Sequence, residues 1–235
     1  MKNRTTRRIC LTALMAAIIY VFTAYIHVPS HTGYTHVGDG FLYLAASLLP
    51  APFAAAAGAI GAGLGHMVGA LTVGKPKYAD VEPELLELML DADDVRAQLL
   101  ALVEADAEAF VPLSAAYGLP SNTDEEKARK AQVLEECLRD ACAVPLDIMR
   151  GCTRAIELCE RFAALGSPLV VSDAGCGVIT CKAALQAASL NVFVNTRLMK
   201  DRVHAEACDA QARELLDEYL PMADAVFASV EERLR

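Results

Sequence analysis

Before residue 75 this chain has a single acidic side chain, Asp39, beside four basic ones, Lys2, Arg4, Arg7 and Arg8. The remaining residues carry 29 acids against 17 Lys and Arg, a net charge of −12. The two parts ask for different solvents, so the chain reads as an apolar segment joined to one medium-sized acidic domain. The acidic part is long enough to bury a full core without disulfide or metal staples. It lacks Trp and is rich in Ala, Leu and Glu, which favours helices over strands. Its charge excludes nucleic acid as a partner, because phosphate binding needs a basic face.

Two apolar runs fill the first part. Ile9 to Ile26 carries no charge and follows the basic Lys2–Arg8 stretch, the pattern of a membrane helix with its N-terminus in the cytoplasm. Phe41 to Val73 is also uncharged and rich in Ala and Gly, with small residues from Ala54 to Gly65 that permit close helix packing. A secretory signal peptide and a buried core helix are the competing readings of such runs. Between them, His27, His31, His36 and Asp39 invite a metal proposal. Pro29 and Gly33 break any helix that would align the histidines, so a polar interhelical loop is expected.

In the acidic part, Pro83 suits a helix first turn, and Asp91-Ala-Asp-Asp94 offers caps for a helix carrying Val95, Leu99, Leu102 and Val103. Leu119 to Thr123 is a turn. Thr123 and Glu126 form a capping box that opens a long helix, which Pro145 interrupts and Gly166 ends. Ser172 or Asp173 is expected to cap a helix running toward Asn191. Leu215, Tyr219, Met222, Val226 and Val230 make the apolar stripe of the last one. Eight cysteines without a Cys-x-x-Cys, mostly among apolar positions, read as buried reduced thiols, with a zinc site or a disulfide framework as the alternative.

The richest stretch chemically is Val170 to Gly177. Ser172 and Asp173 at a helix start, followed by Gly175 and Gly177, would let a ligand approach backbone amides; the competing reading is capping and close helix packing. Asn191 and Asn195 share a helical face and could hydrogen-bond an amide-rich heterocycle. Lys75 and Lys77 could receive carboxylates.

Two resemblances follow from particular motifs. Arg8 to Ile19, with Ala13 and Ala17 spaced four apart, and Thr32 to Ala46 resemble the start of a substrate-binding S component of energy-coupling-factor vitamin transporters. Such components have about six membrane helices, of which residues 1–65 would supply two, too few to enclose a vitamin. Leu71–Tyr78, Glu104–Phe110, Ala143–Leu146, Val171–Gly177 and Leu190–Asn195 occur in the order found in the formiminotransferase-cyclodeaminase C-terminal family. That likeness covers about residues 66–235. It implies an all-α, homodimeric domain that acts on a tetrahydrofolate derivative without a metal, as a formimidoyltetrahydrofolate cyclodeaminase or a methenyltetrahydrofolate cyclohydrolase.

The resemblance gives Asp173, beside Ser172, the role of acid/base or cation-stabilising carboxylate. Gly175 and Gly177 would then contact substrate, Asn191 and Asn195 would orient the pterin, and Lys75 and Lys77 would meet the glutamate tail. The family's Pro-Gly-Gly-Gly-Ser turn is absent, since the equivalent stretch reads Leu49-Pro-Ala-Pro-Phe53, and Pro76 stands where a basic residue is usual. That departure implies an impaired site. The expectation is an all-α helical bundle over 66–235, cytoplasmic from residue 75, preceded by two membrane-type helices with membrane association through residues 9–73. A truncated vitamin-binding S component and an inactive dimerisation domain are the alternatives.

Overall fold

The computed structural model describes residues 27–30, 33–36 and 52–235; the Ile9–Ile26 run, Ala13, Ala17, His31 and Asp39 lie outside them. The chain divides into two compact units, Met1–Pro50 and Ala51–Arg235, and each is described by itself. In the first, β1 (His27–Ser30) pairs antiparallel with β2 (Gly33–His36), setting His27 opposite His36 and Ser30 opposite Gly33. The expected polar loop thus contains a hairpin. Val28, Tyr34 and Thr35 are good strand formers, and the two residues between the strands match the shortest common hairpin connection.

The second unit is all-α, as its composition predicts. Its helices are α1 (Pro52–Ala70), α2 (Glu82–Tyr117), α3 (Asp124–Leu165), α4 (Val171–Leu198) and α5 (Arg202–Leu234). Helices α1 to α4 make a four-helix bundle in which each packs on its neighbours, and α5 lies along α3 and α4. Both α1 and α4 are long and apolar enough to cross a membrane by length and composition. Here both are bundle helices. Ala55, Ala62 and Val68 of α1 are buried, as are Val178, Leu185 and Val192 of α4.

Glycines set how closely α1 sits. A Cβ on Gly61 would lie 2.8 Å from the carbonyl oxygen of Gly177, and one on Gly177 would lie 2.8 Å from that of Gly61. Only two glycines allow α1 and α4 to touch backbone to backbone there. Cys159 and Cys181 donate their thiols to the Gly61 and Gly58 carbonyls at 3.7 and 3.8 Å. After α1, Gly74 takes φ +74°, a conformation that favours glycine, and its N–H donates to Glu82 at 2.8 Å.

The Thr123–Glu126 capping box forms as expected, with Glu126 N–H donating to Thr123 Oγ1 at 3.2 Å and Thr123 N–H to Glu126 at 3.1 Å. Two other caps do not form. Helix α2 runs unbroken through Asp91–Asp94, because Leu85, Ala92, Val95 and Leu99 keep one continuous inward stripe; Asp93 instead pairs with Arg96 at 2.9 Å. Helix α4 starts after Val170 with no side-chain cap, so neither Ser172 nor Asp173 has that role.

Pro145 does not end α3. Its missing N–H would leave the carbonyl of Ala141, four residues earlier, without a donor, but Asn195 Nδ2 of α4 donates to that oxygen at 2.8 Å. The α5 stripe packs as predicted, with Val226 and Val230 buried. Tyr219 donates its hydroxyl to Glu157 at 2.5 Å, which pushes its ionisation up to about 12.

Five of the seven described cysteines are buried, Cys137 is half-buried and Cys176 is exposed. Burial pushes the Cys152 thiol up to about 12. Thiolate is the reactive form, so native-state alkylation followed by peptide mapping should label Cys176 and leave Cys142, Cys152, Cys159, Cys181 and Cys208 unmodified until denaturant is added. Equal labelling of Cys152 and Cys176 in the native protein would contradict this packing.

Candidate active site

The expected site residues fall at opposite ends of the bundle. At one end, Asp173 lies half-exposed in the first turn of α4, next to exposed Ser172. No hydrogen bond or ion pair to a described residue uses the Asp173 carboxylate, which leaves it open to a ligand. The same end holds the connection after α1, fixed to the α3–α4 turn by Ser167 N–H donating to Thr72 Oγ1 at 2.9 Å. Lys75 donates its ammonium to the Leu71 carbonyl and so caps α1. Lys77 lies over the Tyr78 ring, 5.6 Å from its centroid.

Gly175 and Gly177 are both packing positions. A Cβ on Gly175 would meet Val230 of α5 at 3.0 Å, while Gly177 faces Gly61. Their lack of side chains serves helix contact, so the backbone approach expected for a ligand at these two residues is taken by α5 and α1.

Asn191 and Asn195 lie near the other end of α4. Asn191 is 18 residues from Asp173, about 27 Å at a rise of 1.5 Å per residue. Both are half-buried and helical, as their spacing required. Asn191 Nδ2 donates to the Ala187 carbonyl at 3.0 Å, and Asn195 Nδ2 is engaged with Ala141. The hydrogen bonds among the described residues use only their amide NH2 groups, leaving each Oδ1 to accept.

An acid, Asp106, also belongs to this end; it lies in the Glu104–Phe110 motif but had no site role in the sequence reading. Gly58 of α1 faces Leu99 of α2, and Gly69 faces Met89, so the two helices run antiparallel. Counting from Gly58 to Pro52, and equally far from Leu99, brings the start of α1 level with Ala105 and Asp106. The heptad Ala92, Leu99, Asp106, Leu113 is the inward stripe of α2, and its three apolar members are 1%, 0% and 3% exposed. Asp106 is half-buried and, among the described residues, no hydrogen bond or ion pair compensates it. Burial alone pushes its carboxyl above the usual range. An acid interrupting an apolar heptad was the available signal. Among the described residues no three His, Cys, Asp or Glu side chains gather as a metal-ligand set.

Comparison with known proteins bears on this frame. The profile of the formiminotransferase-cyclodeaminase family matches residues 40–214, so the likeness reaches further toward the N-terminus than the motifs alone indicate. The profile of the ECF-type riboflavin transporter S component matches residues 3–73, so α1 lies in the overlap of the two. The methenyltetrahydrofolate cyclohydrolase of Methylorubrum extorquens is 39% identical over 200 residues, covering 83% of this chain and 96% of that protein. The formimidoyltransferase-cyclodeaminase of Mus musculus is 34% identical over 77% of this chain, which spans 33% of that longer protein. A crystal structure of formiminotetrahydrofolate cyclodeaminase from Thermotoga maritima superposes with TM-score 0.64 at 26% identity, covering 78% of this chain and 86% of that one.

Proposed function

We propose, from the premise that the chain belongs to the formiminotransferase-cyclodeaminase family, that it is a cytoplasmic folate enzyme that opens the methenyl bridge of 5,10-methenyltetrahydrofolate. The observation that carries the reading is coverage: 96% of the cyclohydrolase relative has a counterpart here, against a third of the bifunctional mouse protein. Formimidoyltetrahydrofolate cyclodeamination is the second reading, favoured by the structural likeness to a cyclodeaminase. The transporter likeness is confined to residues 3–73, and its last part is α1, which packs inside the bundle.

In hydrolysis, water adds to the methenyl carbon and loses a proton. The bond from that carbon to N5 then breaks as N5 takes that proton and the remaining hydroxyl proton leaves to solvent, so that neutral 10-formyltetrahydrofolate and one net proton are released. A carboxylate can carry that proton from water to N5. Asp173 is the proposed carrier, with its free carboxylate and with Ser172 beside it. Asn191 and Asn195 would accept N–H groups of the pterin through Oδ1, and Lys77, with Lys75 if it leaves the Leu71 carbonyl, would meet the glutamate carboxylates.

One chain holds these groups too far apart to serve one reacting centre, so the proposal includes a homodimer. Two α4 helices packed antiparallel would bring the Asp173 end of one copy to the Asn191 end of the other. Exposed Ile179, Leu190 and Val194 are apolar side chains on α4 suited to that contact.

Complementation tests this. Asp173→Asn should lower methenyl-folate hydrolysis about 100-fold, the scale of one acid–base group, and Asn191→Ala about 10-fold, the scale of one hydrogen bond to substrate. Mixing the two variants should return roughly a quarter of wild-type activity through hybrid dimers, each with one intact site. Full turnover by Asp173→Asn would remove its role. Failure of the mixed sample to recover, with exchange of subunits shown, would remove the shared site. A wild-type dimer inert toward both methenyl- and formimino-folate would establish the chain as a dimerisation domain.

A further inference from the structure

Asp106 interrupts an otherwise sealed stripe. Ala92 and Leu99 lie where α1 covers α2, and Leu113 is buried again further on. Between them, among the described residues, the wall opens at the level where α1 begins, and Leu102, Val103 and Ala109 are half-buried there too. The α3 residues level with it include Val144 and Pro145, by the pairing of Leu99 with Gly151 and Cys152 across Gly58. These are apolar, and Asn195 on α4 is neutral. A carboxylate in such surroundings without a cation is costly to the fold, since a charge leaving water needs a partner.

The reaction proposed above has such a partner. The methenyl bridge between N5 and N10 is an amidinium, a cation shared by two nitrogens, and a protonated formimino group is another. We propose that Asp106 is the counter-ion for the amidinium of the one-carbon substrate, at the level where α1 meets α2. The inference rests on the folate reading. It concerns charge recognition rather than proton transfer, so it is separable from the role given to Asp173. A carboxylate held beside the bridge favours the cationic substrate over the uncharged formyl product, and so assists product release.

The test compares a cationic and a neutral folate on the full chain. Asp106→Asn keeps size and polarity while removing the charge. It should lower kcat/KM for 5,10-methenyltetrahydrofolate about 30-fold, the loss of one charge-assisted contact, and leave the Kd of neutral 5-formyltetrahydrofolate within about threefold, below the scale of one hydrogen bond. Its melting temperature should equal or exceed that of the wild type, because an uncompensated charge has been taken out. Asp106→Glu should retain the preference for the cationic folate. Equal weakening toward both folates, or no change toward either, would overturn the proposal. A wild-type chain that binds neither folate would overturn the folate reading itself, and the counter-ion role with it.

Discussion

Gly61→Ala is expected to cost the bundle about 3 kcal/mol, the upper part of the range for overpacking a filled core. The new methyl carbon would lie 2.8 Å from the carbonyl oxygen of Gly177 and closer still to the Cys181 sulfur. The sulfur can rotate away. The carbonyl is helix backbone and moves only if α1 and α4 separate along their length. Gly61→Leu should prevent closure altogether. Gly63, two residues on, supplies the control, because its nearest neighbour for a Cβ is Arg96 Cδ at 4.0 Å. Gly63→Ala should be neutral or stabilising by up to ~1 kcal/mol through helix propensity. Urea denaturation followed by circular dichroism reads both. Equal midpoints for Gly61→Ala and wild type would place α1 outside the bundle.

Asn195→Ala should lower stability by about 2 kcal/mol, the cost of leaving a buried acceptor without its donor. The acceptor in question, the Ala141 carbonyl, lacks a donor only because residue 145 is proline. The pairing therefore predicts a non-additive cycle. Pro145→Ala restores the helical N–H and makes Asn195 dispensable, so Asn195→Ala in that background should cost less than about 1 kcal/mol. Pro145→Ala alone should be close to neutral. Additive losses across the cycle would show that Asn195 stabilises the fold through some other contact. The cycle also separates stability from activity: if Asn195 orients the pterin through Oδ1, hydrolysis falls in the double variant although its stability has returned.

Much of the helical frame was legible in the residues. Thr123 and Glu126 mark a helix start by a reciprocal bond that depends on three-residue spacing alone, and the α5 stripe depends only on helical period. What failed was local chemistry that packing overrode. Asp91 to Asp94 have capping side chains, yet a continuous apolar stripe on both sides held α2 together through them. Ser172 and Asp173 are good caps that begin one turn too late. The structural role of Asn195, beside the pterin contact proposed for its Oδ1, was not legible, because its partner, a carbonyl orphaned 54 residues away, exists only once α3 and α4 are side by side. Asp106 was passed over because an acid in a helix is ordinary until the rest of its heptad is known to be buried.

By itself the sequence determined helical content, the places where several helices begin and end, and the family. It also showed that residues 41–73 avoid water. It did not determine whether lipid or protein would surround them, because hydropathy measures transfer out of water and is the same for both destinations. The tertiary structure decided that for α1. Gly61 and Gly177 form complementary surfaces only when the two backbones meet, and a contact between residues more than a hundred positions apart leaves no mark in the composition of either.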